Sequence, residues 1–213
     1  MNLDLITLGS EYAKNTIPDG ILNENSIYYG FGVGEDISFD IEIVKRYSCN
    51  AYIFDPTPRS KVFWGNKEKH YPDVSKEIFD KISFFDYGLW DKNTTVKFYE
   101  PANKEHVSHS IDNLQKTDDG FVGIVFNLET IMKVLGHKNI DLLKLDIEGA
   151  EYSVIDDMLK HKINVKIFIT EFHDVVYDNI KTRATEYTNK LIAADYALLA
   201  SINNGATLIK KTI

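Results

Sequence analysis

The sequence predicts a single α/β domain built around a mostly parallel sheet, and three observations support this fold class. Short apolar runs alternate with helical stretches along most of the chain, as in β-α-β units. The last two apolar runs are separated only by residues 202–205, which contain Asn-Gly, a strong hairpin signal. The chain has 213 residues, 44% of them hydrophobic, which suits one domain with a substantial core.

Seven of the apolar runs are predicted to form the main sheet. In chain order they are 26–31, 51–54, 82–86, 142–145, 165–170, 196–201 and 206–209. Helices are predicted over 37–47 and 150–160. Five parallel strands followed by an antiparallel hairpin form the strand inventory of a Rossmann-like class I methyltransferase. A nicotinamide dehydrogenase would instead continue with parallel strands.

Residues 89–126 interrupt this alternation between the third and fourth main strands and are predicted to be an insertion. Residues 94–99 and 121–126 read as two extra strands, and the polar stretch before the second reads as a turn. We expect an N-terminal extension over 1–25 and a domain over 26–213, with the insertion covering the carboxyl edge of the sheet.

Composition and charge narrow the classes of function. The net charge of −8 argues against a protein that binds nucleic acid mainly through phosphate contacts. The single cysteine, Cys49, excludes an internal disulfide framework and a multi-cysteine zinc site. No run approaches the roughly 20 apolar residues of a membrane span, and the start lacks the features of a signal peptide. We therefore expect a cytoplasmic protein with no membrane span and no nucleic-acid partner, and the oligomeric state stays open.

Alternate glycines follow the first main strand, at Gly30, Gly32 and Gly34. Glycines let the backbone turn sharply and approach a ligand closely at the start of a helix. The dinucleotide-binding fingerprint would place a third glycine where Glu35 stands, so the dehydrogenase pattern fails here. The spacing suits an S-adenosylmethionine loop, although it also fits a simple turn. Asp36 directly precedes the following helix and is a further candidate for cofactor contact.

Asp55 ends the second main strand, 21 residues after Gly34. A carboxylate at this position is suited to accept hydrogen bonds from both ribose hydroxyls of a cofactor. Pro56 and Thr57 begin a stiff loop that would form one wall of an adenosine pocket. At the end of the third strand, an adenine ring would be bordered by three further residues, or these would form a simple turn. They are Asp86, Gly88 and Leu89.

Three carboxylates, Asp146, Glu148 and Glu151, join the fourth main strand to a helix. Ligands bind at the carboxyl edge of open α/β sheets, so these groups could be catalytic, although they could also cap the helix. Glu171 and His173 follow the neighbouring fifth strand and should lie close to Asp146. They could act as a general base and its orienter, contribute to a divalent metal site, or form a structural pair.

Residues 106–110 lie in the insertion and contain two histidines and two serines. Their side chains could contact a hydroxylated substrate or could be solvated. His109 is the candidate substrate contact in this segment, together with Glu148 from the acidic loop.

These segments together resemble the FkbM family of S-adenosylmethionine-dependent methyltransferases over about residues 26–210. The most specific match is 143–151, and 29–40, 54–58, 87–89 and 171–173 follow in matching order. The resemblance implies a seven-stranded fold and adenosylmethionine bound by four residues, with Asp146 near the methionine moiety. The four are Gly30, Gly32, Gly34 and Asp55. It also implies methyl transfer to an oxygen, often of a sugar or polyketide.

The sequence therefore predicts an adenosylmethionine-dependent O-methyltransferase that acts on a hydroxyl of a sugar, nucleotide sugar or surface glycan. His173 is the expected base, Glu171 its orienter and Asp146 a third catalytic residue. A divalent metal is possible but is not predicted. Two alternatives remain open: a catalytically silent binding protein with this fold, and a nicotinamide-dependent oxidoreductase.

Overall fold

The computed structural model describes residues 3–103, 108–114, 116–174, 177–202 and 204–212. Its strands are β1 (Leu5–Leu8), β2 (Asn15–Pro18), β3 (Ile27–Phe31), β4 (Asn50–Phe54), β5 (Ile82–Phe85), β6 (Gly88–Leu89), β7 (Thr94–Tyr99), β8 (Gly120–Phe126), β9 (Ile140–Leu145), β10 (Val165–Glu171), β11 (Tyr196–Ile202) and β12 (Gly205–Lys210). Its helices are α1 (Ser38–Tyr47), α2 (Pro58–Gly65), α3 (Lys67–His70), α4 (Lys76–Phe79), α5 (Leu128–Leu135), α6 (Glu151–Lys160) and α7 (Tyr177–Ala193).

The seven-stranded sheet has the order β11-β12-β10-β9-β3-β4-β5, which confirms the predicted mostly parallel α/β fold. The five strands from β10 to β5 are parallel, and β12 is antiparallel to both β10 and β11. The chain moves outward in opposite directions from β3 and from β9, which are neighbours. In open α/β sheets this reversal leaves a crevice at the carboxyl ends of the two strands.

Both faces of the sheet are buried, because apolar side chains alternate between two cores along each strand. Tyr28 and Leu142 belong to the core under α1, whereas Tyr29 and Leu143 belong to the core on the opposite face. Phe31 and Phe54 stack in that second core with ring centroids 4.4 Å apart. This packing on both faces fixes the strand ends that carry the polar residues.

The insertion forms a separate three-stranded sheet of order β6-β8-β7. The two predicted extra strands correspond to β7 and β8, which pair antiparallel. Gly88 and Leu89, for which the sequence left an adenine contact and a simple turn open, form the short strand β6 beside β8. The insertion therefore starts at the end of the third main strand and returns its own sheet to the carboxyl edge.

The N-terminal extension contains a β-hairpin, β1 and β2, that the sequence did not predict. The loop between these strands docks against α1 and the glycine loop: the Gly9 N–H donates to Glu42 Oε2 at 2.7 Å, and Ser10 Oγ donates to Asp36 Oδ2 at 2.6 Å. On the other side, Thr207 Oγ1 of β12 donates to the Thr16 carbonyl at 2.8 Å. The loop of the hairpin thus forms part of one wall of the crevice.

None of the helices in the described part of the chain combines the length and the apolar composition needed to cross a membrane.

Candidate active site

A cavity of about 320 Å³ opens at the carboxyl ends of β3, β4, β9 and β10. It reaches the lower end of the range for small-molecule sites, about 300–1,000 Å³. The glycine loop and the start of the acidic loop lie on its floor, and Gly88, Leu89 and Phe98 come from the insertion side. The predicted cofactor loop and the predicted catalytic residues therefore border the same space.

Gly32 is the tightest point of the glycine loop. Its φ is +84°, and a Cβ built there would lie 1.8 Å from the carbonyl oxygen of Asp146. Gly34 also has a positive φ, of +56°. Gly32 therefore allows the β3 loop to touch the β9 loop, and any larger residue would push the two strand ends apart.

Gly30 lies within β3 and does not line the cavity, although the sequence predicted that it would contact the cofactor. A Cβ there would lie 2.6 Å from the Tyr28 hydroxyl, which donates at 2.6 Å to the buried Asp40. Burial raises the pKa of Asp40, although Lys144 and the Tyr28 hydroxyl act in the opposite direction. The glycine at position 30 leaves room for this buried pair.

Asp55 is buried and lines the cavity, and its carboxylate holds the glycine loop. Oδ2 accepts the N–H groups of Val33 and Gly34, each at 2.9 Å. Oδ1 accepts the Thr57 N–H at 2.8 Å. The Thr57 side chain then caps α2, with Pro58 at the first turn. Asp55 therefore anchors two loops of the pocket, a function that the ribose prediction did not include.

Asp36 also lines the cavity with a carboxylate that accepts several hydrogen bonds. Oδ1 accepts the Ser38 N–H at 2.8 Å and the Tyr71 hydroxyl at 2.9 Å, while Oδ2 accepts Ser10 Oγ. Burial alone would raise the pKa of Asp36, but these hydrogen bonds outweigh it and lower the pKa. Its charge stabilises the junction of hairpin, glycine loop and α1.

Most of the residues predicted to border the adenosine, but not all of them, line the cavity. Pro56, Thr57, Gly88 and Leu89 all line the cavity. Asp86 does not: its exposed side chain pairs with Lys61 Nζ at 2.6 Å on the outside. Phe98 of β7 lines the cavity as well, although the sequence did not mark it, because only the folded insertion brings β7 back to this edge.

Asp146 reaches the cavity directly after β9, as predicted from its position at the strand end. Its Oδ2 lies 3.8 Å from Nζ of Lys144, which also donates to the Gly32 carbonyl at 3.3 Å. The Lys144 side chain is only 14% exposed. Lys144 is a site residue that the sequence did not single out, since a lysine within an apolar strand gives no sign of which face it occupies.

Glu151 organises the acidic loop from a fully buried position. Its Oε1 accepts the Ile147 N–H and its Oε2 accepts the Gly149 N–H, both at 2.9 Å. Within this loop, Glu148 has a φ of +53° and Gly149 has a φ of +106°. The capping interpretation therefore applies to Glu151, whereas Glu148 and Asp146 point into the cavity.

His173 pairs with Glu151 rather than with Glu171, which corrects the expected orienter. Its Nδ1 lies 3.2 Å from Glu151 Oε1, and its Nε2 lies 3.8 Å from Glu148 Oε2. Burial acts to lower the pKa of His173, but the hydrogen bond to Glu151 and the charges of Glu151, Glu148 and Asp146 raise it to about 10. At neutral pH the ring is therefore protonated and is not available as the expected general base.

The pKa values of two glutamates that face the cavity are raised as well. Burial is the largest cause of the raised pKa of Glu148, and Asp146 and Glu151 add to it against His173. Glu171 is more exposed, yet partial loss of hydration at the cavity and the charge of Asp146 likewise raise its pKa. One ligand atom from each of Asp146, Glu148 and His173 lies within 4.8 Å of the other two.

The remaining walls come from the insertion and the N-terminal hairpin. His109 lines the cavity and packs edge-on against Phe121, with centroids 5.5 Å apart. His106, the other histidine of that segment, lies outside the described residues. Tyr12 and Lys14 of the hairpin loop also border the cavity. Their sequence carries no motif, and only the docking of the hairpin reveals them.

Comparisons with known proteins agree with this architecture. The chain resembles the crystal structure of Methyltransferase FkbM from Methylobacillus flagellatus, with 14% identity and a TM-score of 0.55, over 88% of this chain and 44% of that one. It thus spans under half the length of that protein.

Weaker similarities relate the chain to two other methyltransferase structures. SAH-bound PaMTH1 from Podospora anserina has 9% identity and a TM-score of 0.47, over 87% of this chain and 71% of that one. An rRNA methylase from Streptococcus thermophilus has 10% identity and a TM-score of 0.46, over 89% of both chains. No curated protein sequence matches the chain significantly.

The family profile covers most of the chain. The profile of the methyltransferase FkbM domain matches residues 22–198, which include the glycine loop, Asp55, the acidic loop, Glu171 and His173. The chain therefore belongs to the FkbM methyltransferase family.

Proposed function

We propose that the protein is an S-adenosylmethionine-dependent O-methyltransferase that acts on a hydroxyl of a sugar, nucleotide sugar or surface glycan. One observation supports this most directly: the glycine loop anchored by Asp55 and the acidic groups after β9 and β10 line the same cavity. A donor held on the first side would place its reactive end beside the second.

The residues present fit adenosylmethionine in shape and in charge. Gly32, Gly34 and Asp55 form a close backbone surface, and Pro56, Thr57 and Leu89 border the adenosine side. Carboxylates that line the described cavity outnumber its cationic groups; they are Asp36, Asp55, Asp146, Glu148 and Glu171, against Lys14, Lys144 and His173. This field favours the sulfonium and ammonium of adenosylmethionine and disfavours the pyrophosphate of a nicotinamide cofactor.

When bound, adenosylmethionine supplies an electrophilic methyl group. The protein has to align an acceptor oxygen with that group and accept one proton. Glu171 is the proton acceptor in this proposal, because its carboxylate faces the cavity and its raised pKa brings it closer to the working pH. The raised pKa of His173 favours the protonated ring, which balances the charge of Glu148 and Glu151.

The acceptor would enter between the acidic loop and the insertion. His109 and Glu148 line this side and suit hydrogen bonds with sugar hydroxyls. The acidic lining disfavours phosphate-rich acceptors such as RNA, and a nucleotide sugar would have to keep its pyrophosphate outside the cavity. Among the proposed acceptors, neutral sugars and glycans therefore fit best.

Calorimetric titration with adenosylmethionine and adenosylhomocysteine tests the cofactor assignment. We expect Asp55→Ala to weaken binding by about 10-fold or more, since charge-assisted hydrogen bonds contribute about 1.5–3 kcal/mol. Asp86→Ala is the matched control, because this carboxylate pairs with Lys61 outside the cavity. Failure of the folded wild-type protein to bind either compound would overturn the proposal.

Turnover separates an enzyme from a silent binding protein. Adenosylhomocysteine formation should require a sugar or glycan from a hydroxylated acceptor panel and should fall in Glu171→Gln. Cofactor binding with no adenosylhomocysteine formed from any of these acceptors would favour the silent alternative.

A further inference from the structure

We propose that Asp146, Glu148 and His173 form a binding site for one divalent transition-metal ion at the acceptor end of the cavity. The site itself depends only on the geometry of these residues. Its use, to hold the acceptor hydroxyl beside the methyl donor, rests on the proposed function.

The three side chains converge because their strands are neighbours. Asp146 follows β9 and His173 follows β10, and these strands pair in parallel up to Leu145 and Thr170. Glu148 reaches the same place from the loop that Glu151 holds by two backbone hydrogen bonds. One ligand atom from each of Asp146, Glu148 and His173 lies within 4.8 Å of the other two. Metal–ligand bonds of about 2.0–2.2 Å would need only small side-chain rotations from this arrangement.

His173 has a carboxylate partner on one ring nitrogen, as metal-binding histidines typically do. Its Nδ1 lies 3.2 Å from the carboxylate of Glu151, which is fully buried. Its other nitrogen, Nε2, faces Glu148 at 3.8 Å. A carboxylate on the far nitrogen of a ligating imidazole fixes the tautomer and the ring orientation. Glu151 is thus a positioning residue, and Nε2 is the atom directed at the proposed ion, which binds there by displacing the proton that the ring carries in the metal-free protein.

Charge also favours a cation at this point. Four carboxylates lie together here, and the cationic groups that face them in the described structure are His173 and Lys144; the carboxylates are Asp146, Glu148, Glu151 and Glu171. A divalent ion at the Asp146 side would offset this excess. The nitrogen ligand favours a transition ion over Mg²⁺, which prefers a set made only of oxygens.

The cavity leaves space beside the three ligand atoms. Three protein ligands leave open coordination positions for water or a hydroxyl, as in catalytic rather than structural metal sites. Glu171 borders the same space, so a hydroxyl held at an open position would lie next to the proposed proton acceptor. The arrangement explains why a polar cluster of this size occurs where a neutral acceptor is expected to bind.

Titration of the chelator-treated full chain with Mn²⁺, followed by calorimetry and by loss of the free Mn²⁺ electron paramagnetic resonance signal, tests the site. We expect one ion per chain. His173→Ala and, separately, Glu148→Gln remove a ligand and should weaken binding by at least the roughly 10–100-fold that loss of a residue supporting a ligand costs. His161→Ala is the matched control, because this histidine pairs with Asp157 at 3.1 Å on α6, in a different His–carboxylate pair.

The outcomes separate the metal site from the cofactor site. Absence of Mn²⁺ binding by the wild-type protein, or equal binding by His173→Ala, would overturn the metal proposal. Mg²⁺ binding as tight as Mn²⁺ binding would overturn the assignment of His173 as a ligand. Adenosylmethionine titration of each variant in the presence of chelator reports folding and the cofactor site independently, so failure of one proposal is distinguishable from failure of the other.

Discussion

The two walls of the cavity carry similar acidic residues that behave in opposite ways. On the glycine-loop wall, Asp55 follows β4 and Asp36 precedes α1. Their carboxylate oxygens accept hydrogen bonds from backbone N–H groups and from a hydroxyl group. On the opposite wall, Glu148 and Glu171 face the open cavity and lie beside Asp146. The pKa of Asp36 is lowered, whereas the pKa values of Glu148 and Glu171 are raised.

The difference shows that position at a strand end does not decide what a carboxylate does. Where N–H and O–H donors point at the side chain, as at Asp36, they stabilise the charged form, and the side chain holds the adjoining loops together. Where the side chain meets other acids in a cavity, the charged form is destabilised and can bind a proton or a cation. Clusters of this second kind are typical of functional sites, which proteins retain at some cost in stability.

The largest expected effect is from breaking the contact between the two walls. Gly32→Ala would place a Cβ 1.8 Å from the Asp146 carbonyl oxygen, at a φ of +84°. We expect the free energy of unfolding to fall by about 3 kcal/mol or more, because overpacking and left-handed backbone strain add. Adenosylmethionine binding should be lost as well. Urea unfolding and calorimetric titration measure the two effects.

Gly20→Ala is the control for backbone strain alone. Gly20 has a φ of +69°, but a Cβ there would meet nothing within 4 Å. We expect a loss of only about 1–2 kcal/mol, with cofactor binding unchanged. Equal losses in the two variants would show that the approach of the loops is not what requires a glycine at position 32.

An intermediate effect is expected from Glu151→Gln, which neutralises the residue that supports the second wall. The amide cannot satisfy both the Ile147 and Gly149 N–H groups, so we expect the free energy of unfolding to fall by about 1–3 kcal/mol. The pKa of His173 should fall below its value of about 10, since Glu151 helps to raise it. Nuclear magnetic resonance titration of the His173 ring measures this shift.

Glu129→Gln is the matched control for that substitution. Glu129 is an exposed acid in the first turn of α5, as Glu151 is an acid in the first turn of α6. It should change neither the stability by more than about 0.5 kcal/mol nor the titration of His173. An unchanged pKa of His173 in Glu151→Gln would contradict the pairing of these two residues.

The smallest expected effect is on the pH dependence of stability, to which Asp36 and Glu171 should contribute with opposite signs. The lowered pKa of Asp36 contributes stability that is present above its ordinary value of 3.8 and is lost as the pH falls through the lowered pKa. The raised pKa of Glu171 contributes stability that is present below its ordinary value of 4.5 and is lost as the pH rises through the raised pKa. Asp36→Asn should therefore destabilise the protein at pH 7, and Glu171→Gln should stabilise it slightly.

Urea unfolding of both variants between about pH 3 and pH 7 checks these signs. Because Glu171 is partly solvated, the gain at pH 7 should stay below about 1 kcal/mol. Destabilisation by Glu171→Gln at pH 7 would mean that its carboxylate is held by favourable contacts, as Asp36 is, and the contrast between the two walls would fail.

Local pattern was enough to predict the seven main strands, the two antiparallel strands of the insertion, the helices α1 and α6, and the edge at which the site lies. Alternating apolar residues and Asn-Gly predicted the main strands and the terminal hairpin, and both are confirmed. The same reasoning could not assign partners to polar side chains. Glu171 stands two residues from His173 in sequence, yet Glu151 from the adjacent strand connection is the residue that contacts the ring.

The sequence by itself determined the order of the main strands, the glycine loop, and which chemical groups follow each main strand, because these depend on side-chain periodicity and on backbone freedom at single residues. The tertiary structure decided that Gly30 and Asp86 lie away from the cavity, that Tyr12 and Phe98 line it, and which acids accept hydrogen bonds from backbone N–H groups. The physical reason is that contact and charge depend on distances between segments far apart in the chain, which only packing of the sheet, hairpin and insertion sets.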